Sequence, residues 1–140
     1  MRSEYETQAR NFLRASGAKM SIVSNGIVQG FPFDDRDRNW HNKYLVRIDR
    51  CGRSYSFPFY DSAYNTERNV RPTQYDILAC LEKYPVEEDV WDFAEEYGYE
   101  IHCRKDFERV TNTHRACKTQ YEKLLRLFGE ELMAELQQIA

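Results

Sequence analysis

The repeat of apolar positions along this chain changes several times, and each change marks an element. Over residues 4–16 the apolar side chains fall at Tyr5, Ala9, Phe12 and Leu13, one stripe of a helix. Ser3 and Glu6 make an S-x-x-E capping box ahead of it, and Gly17 stands where a helix ends in a left-handed residue. The repeat then shortens to two. Residues 19–28 are rich in β-branched side chains. They predict one long strand bulged at Asn25-Gly26, in preference to a hairpin turning there. Residues 43–49 set Tyr44, Val46 and Ile48 on one face against Lys43, Leu45, Arg47 and Asp49 on the other. Residues 53–60 alternate again, with Tyr55, Phe57 and Phe59 together, and Asp49-Arg50-Cys51-Gly52 supplies the turn between these two runs. Pro58 cannot donate to a ladder, which puts its strand at an edge. The sheet's apolar face needs a cover, expected from the N-terminal helix.

Residues 61–69 predict a turn or a single helical turn. Beyond them the helical repeat returns. Thr73 and Asp76 cap a helix over 73–83 that carries Tyr75, Ile77, Leu78, Cys80 and Leu81, and Pro85 breaks it. A second helix over 87–97 sets Val90, Trp91, Phe93, Ala94 and Tyr97 inward and Glu88, Asp89, Asp92, Glu95 and Glu96 outward; Gly98 stops it. In residues 104–128 the apolar side chains Phe107, Val110, His114, Cys117, Tyr121, Leu124 and Phe128 are spaced 3, 4, 3, 4, 3 and 4 apart, a heptad seam. Gly129 punctuates, and 130–139 is a last amphipathic helix with Leu132, Met133, Leu136 and Ile139. The expected fold class is α+β: an N-terminal helix, a three-stranded antiparallel sheet, then a C-terminal helical unit of about four helices. All of it forms one domain over 1–140, with the halves meeting near residue 70.

The charge balance sharpens one part of this picture. The net charge of -3 hides an uneven distribution. Residues 1–72 hold 12 Lys and Arg against 8 Asp and Glu, residues 73–100 hold 1 against 9, and residues 101–140 hold 7 against 6. Acid is concentrated in the helix pair. The four cysteines, Cys51, Cys80, Cys103 and Cys117, include no C-x-x-C pair. No secretory leader and no membrane-length apolar run is found, so a soluble protein of a reducing cytoplasm is expected.

Most candidate chemistries are weak. His102, Cys103, His114 and Cys117 have the residue types of a zinc site but not its knuckle spacing, and burial on the seam explains the last two. Cys51 with His41 has nothing local to activate a thiolate. Asp34, Asp35 and Asp37 alternate with Arg36 and Arg38, a solvated mixed loop more than an acid–base pair. No enzyme activity, cofactor or metal is expected. Two surfaces remain. Glu87, Glu88, Asp89, Asp92, Glu95 and Glu96 form an acidic face able to mimic phosphate spacing toward a basic cleft. Arg36, Arg38, Trp40, Lys43, Arg47, Arg50 and Arg53 interleave cations with an aromatic and form the alternative, a nucleic-acid-binding patch.

The stretch P-T-x-Y-D-I-L-A-C-L-x-K-Y spans Pro72, Thr73, Tyr75, Asp76, Ile77, Leu78, Ala79, Cys80, Leu81, Lys83 and Tyr84. With Asp92, Phe93, Gly98 and Tyr99 it resembles a family of small proteins carried by phages and mobile elements of gut Firmicutes. The resemblance runs over most of the chain. Members look like accessory anti-defence factors, including inhibitors of CRISPR nucleases. It implies an anti-CRISPR-like inhibitor that binds a CRISPR effector, or its nucleic-acid complex, stoichiometrically as a monomer or homodimer. The matched positions are largely apolar or capping and imply a fold, not a site. The alternative is a nucleic-acid-binding accessory protein of a phage or mobile element.

Overall fold

A computed structural model describes residues 3–32, 34, 36–61 and 71–139. It contains α1 (Glu4–Ser16), β1 (Ala18–Gln29), β2 (Trp40–Arg50), β3 (Arg53–Tyr60), α2 (Gln74–Cys80), α3 (Val90–Tyr97) and α4 (Arg104–Leu136). The expected α+β class is therefore observed. The turn expected over 61–69 lies, from residue 62 on, outside the described residues.

Local chemistry explains the boundaries. Ser3 Oγ accepts from Glu6 N at 3.1 Å to open α1, and Gly17 closes it at φ 72°. β1 is one strand, as expected. Its pairing with β2 slips between Ser24 and Ile27, so Asn25-Gly26 is the bulge and not a turn. β2 starts at Trp40, three residues before the strand expected from Lys43, because Gln29 and Trp40 already pair across the sheet. The order β1-β2-β3 leaves β3 at an edge. A two-residue turn, Cys51-Gly52, makes Arg50 and Arg53 the first opposed pair of the hairpin. Alternation then puts Pro58, opposite Leu45, in a pair whose β3 backbone faces outward. Its missing N–H costs the ladder nothing and denies one hydrogen bond to any strand added there. On the other edge, Arg71 Nη2 donates to Ile22 O at 2.9 Å.

Both halves of the capping box at Thr73 and Asp76 are formed. The helix they open is shorter than the expected 73–83. It stops at Cys80, and Leu81 is already extended at ψ 148°. Lys83, only 6 % exposed, takes over the end: its Nζ donates to Ala79 O and to Ile139 O. Burial lowers the pKa of that amine.

The main core lies under the sheet. Val46, Ile48 and Phe57 from the strands meet Ala9, Phe12 and Leu13 of α1, Ile77 and Leu78 of α2, and Leu124 and Phe128 of α4. Met133, Leu136 and Ile139 complete it. The cover expected from α1 alone is thus shared with α2 and the C-terminal half of the last helical stretch. One helix leaves too much of a three-stranded face wet. A smaller cluster joins Val86, Phe93 and Ala94 to Val110. The heptad seam is used inside the chain: Val110 serves the small cluster, and Leu124 and Phe128 the large one. The tail helix expected to Ile139 ends at Leu136.

Arg50 joins the hairpin to this frame. Its Nε donates to Ser16 O at 2.7 Å and its Nη1 to Leu127 O at 3.0 Å, so one guanidinium serves the carbonyl ends of two helices. Arg50→Ala is expected to lower unfolding stability by about 1.5–3 kcal/mol, the range for hydrogen bonds to a charged group, measured by urea unfolding.

Candidate functional site

The acidic segment begins where the backbone leaves helical geometry. Val86 is buried in the small cluster and anchors the irregular connection after Pro85. Asp89 Oδ1 accepts from Asp92 N at 2.9 Å and so opens α3. The helix therefore starts at Val90, not at residue 87, and Glu87 and Glu88 belong to the connection. Phe93 and Ala94 point into the cluster, which turns Asp92, Glu95 and Glu96 to solvent. Glu87 and Asp89 are exposed and Glu88 is half-buried. Among the described residues, none of these six carboxylates has a Lys or Arg within ion-pair distance.

Backbone N–H groups, its own and that of Glu87, hold the Glu88 carboxyl below the usual range. Glu96 shares a hydrogen bond with Glu88, and that bond and charge push its carboxyl up. As pH falls, Glu96 is therefore neutralised ahead of Glu88. Tyr97 Oη donates to Glu82 Oε2 at 3.2 Å. Burial first, then the Glu82 charge, pushes this phenol up to about 12. Glu82 thus extends the acidic face.

The aromatic side chains here correct an expectation. Trp91 and Tyr97 were expected inward but are 59 % and 47 % exposed. An eight-residue helix buries a narrow stripe. Val90, Phe93, Ala94 and Tyr97 follow the i, i+3, i+4, i+7 rule, and Trp91 lies about 100° to the side. Its indole rests on Phe107, centroids 5.4 Å apart, and offers its other face to solvent. Strict application of that rule to the sequence would have found Trp91. Nothing in the sequence marks Glu82, which reaches the face through the early end of α2.

The basic set is divided. Arg50 is committed to Ser16 and Leu127, and Arg53 Nη1 donates to Arg126 O at 2.8 Å. Arg47 pairs with Asp49 at 2.9 Å, and Lys43 lies 5.9 Å over the Tyr60 ring. Arg36 reaches Asp106 at 4.0 Å, and Asp106 also pairs with Arg109 at 3.3 Å. Arg38 and Trp40 are exposed at the far end of β2. The seven side chains therefore span the sheet from end to end and do not form one patch.

Other candidate chemistry is separated in space. Cys51 and His41 sit ten residues apart along β2 and its turn, about 33 Å at strand rise. His41 is fully buried. His114 Nε2 contacts Glu88 O at 2.7 Å and pins the acidic connection to α4. Burial pushes the Cys117 thiol up to about 11, which leaves it neutral at ordinary pH. His102 pairs with Glu100 at 3.0 Å. Among the described residues no three His, Cys, Asp or Glu converge on a metal position. No described helix is long and apolar enough to cross a membrane.

A groove of about 640 Å³ runs between β3 and α4, walled by Tyr55, Phe57, Tyr60, Tyr99, Arg109 and Asn112. These residues come from three separate elements or connections, so no motif announces it. Comparison with known proteins finds no matching family model, no similar curated protein and no similar solved structure.

Proposed function

We propose that this chain is an inhibitor that works by stoichiometric protein binding, in the manner of a phage-derived anti-CRISPR protein. Its acidic face enters the nucleic-acid cleft of a bacterial defence effector. One observation carries the reading: Glu87, Glu88, Asp89, Asp92, Glu95 and Glu96 lie together, and among the described residues no Lys or Arg is within ion-pair distance of them. Unneutralised charge of one sign steers association with a surface of the other sign. Trp91 supplies what charge alone lacks. A large aromatic with one face held and one free is the usual energetic anchor of an interface.

The alternative reading, a nucleic-acid-binding accessory protein, is supported by the exposed Trp40 next to Arg38. It is weakened by the structural use of Arg50 and Arg53.

The purified chain is expected to capture a CRISPR effector from a host lysate at low salt and to release it at high salt. It should not shift DNA in a gel at either salt. A DNA shift that disappears at high salt would favour the alternative, and salt-independent capture would reject the electrostatic reading.

A further inference from the structure

We propose that His41 is held as an imidazolium and serves as a protonation latch that fastens the connection 30–39, with its arginines, to the sheet. The ring has no solvent exposure. Its Nε2 lies 2.5 Å from Asp37 Oδ2 and its Nδ1 lies 2.8 Å from the Asp61 carbonyl oxygen. A carbonyl oxygen only accepts, and an ionised carboxylate only accepts. Both ring nitrogens therefore have to carry hydrogen, which the charged ring does and neither neutral tautomer does.

The ionised state of Asp37 has its own support. Its carboxylate accepts from Asn39 N at 2.9 Å and from Phe31 N at 3.1 Å. The Asn39 bond is the largest of the influences that hold this carboxyl below the usual range. Phe31 also stacks on the imidazole with centroids 3.8 Å apart, which closes the site from above. Asp61 N donates to Asn42 O at 3.1 Å, so the same short piece of β2 holds both connections at this end of the sheet.

Loss of the ring proton turns one N–H···O contact into two opposed lone pairs without water to relieve them. The connection then loses that tie. It carries Pro32, which borders the β3–α4 groove, and Arg36, which reaches Asp106 at the start of α4. The other charged or titratable groups at this corner are Tyr44 of β2, Asp61 after β3, Arg71 before α2 and the Lys43–Tyr60 pair. From α4, Asp106 and Arg109 act through Arg36. Because Asp37 is depressed, its share of the closure is present above the ordinary carboxylate range and is lost as pH falls through its own lower value.

Nitrogen NMR of the labelled wild-type chain at neutral pH is expected to show both His41 ring nitrogens protonated; a single neutral tautomer overturns the proposal. Trypsin then reads the latch at one fixed pH. In Asp37→Asn, cleavage after Arg36 and Arg38 is expected to speed up about tenfold, the loss of one charge-assisted hydrogen bond, with other sites unchanged. An unchanged rate, or a rise shared by all Lys and Arg sites, overturns it. If that variant does not fold, the NMR result on the wild type still decides.

Discussion

Asp92→Lys, Glu95→Lys and Glu96→Lys together are expected to abolish effector binding, with a loss of at least about a thousandfold. The three side chains point to solvent from α3, and no cation of the described chain lies within ion-pair distance of them. Reversal replaces attraction by like-charge contact against a basic cleft, which costs several kcal/mol, and each 1.4 kcal/mol is about tenfold. Asp89 stays unchanged in this variant because its carboxylate caps α3, and losing a cap costs about 1 kcal/mol of helix stability. Circular dichroism should therefore match the wild type. Trp91→Ala, which removes no charge, should weaken binding by about 2 kcal/mol or more and leave its salt dependence intact. Titration calorimetry at two salt concentrations checks both. Wild-type affinity in the triple variant would move the contact elsewhere, with the β3–α4 groove the next candidate.

Phe93→Ala is the second large effect and acts on stability. Phe93 is fully buried between Tyr97, Tyr99 and His114, at centroid distances of 4.6, 6.0 and 5.0 Å. It is the largest side chain of a cluster whose other buried members are Val86, Ala94 and Val110. Truncation should cost about 3–5 kcal/mol. The cluster is separate from the one under the sheet, so α3 amides should lose protection from hydrogen exchange well before those of β2. Equal loss in both would mean that the two clusters open as one unit.

Sequence pattern carried the architecture because its signals are local. Ser3, Gly17, Thr73 with Asp76, and Gly98 act within a few residues of their own position. Each one ends or begins an element as expected. The register of β2 was legible because Tyr44, Val46 and Ile48 alternate against charge. What failed was tertiary. Nothing near Lys83 says that its amine will find Ile139 O, or that the helix will stop at Cys80, ahead of Pro85. Nothing near Arg50 says that it will reach Ser16 and Leu127, so it looked like a free cation. The acids of the candidate face were legible because charge runs are local. The aromatic side chains beside them were misplaced because a short helix was given too wide a buried stripe.

At Gly129 the chain takes φ 81° and ψ 169°, a conformation that in practice only glycine holds, although a β-carbon there would meet no atom within 4 Å. Without the break, the 33 residues of Arg104–Leu136 would run straight for about 50 Å. With it, Met133, Leu136 and Ile139 fold back into the main core, tied by Lys83 and by Gln137 Nε2 to Lys83 O at 3.1 Å. Residues 130–139 are therefore an arm on a one-residue pivot. A side chain at that pivot favours the straight helix, takes the arm out of its own core and leaves a vacancy of matching shape. A Gly129→Ala variant is therefore expected to elute as a dimer in size-exclusion chromatography, with the arm of one copy seated in the vacancy of another.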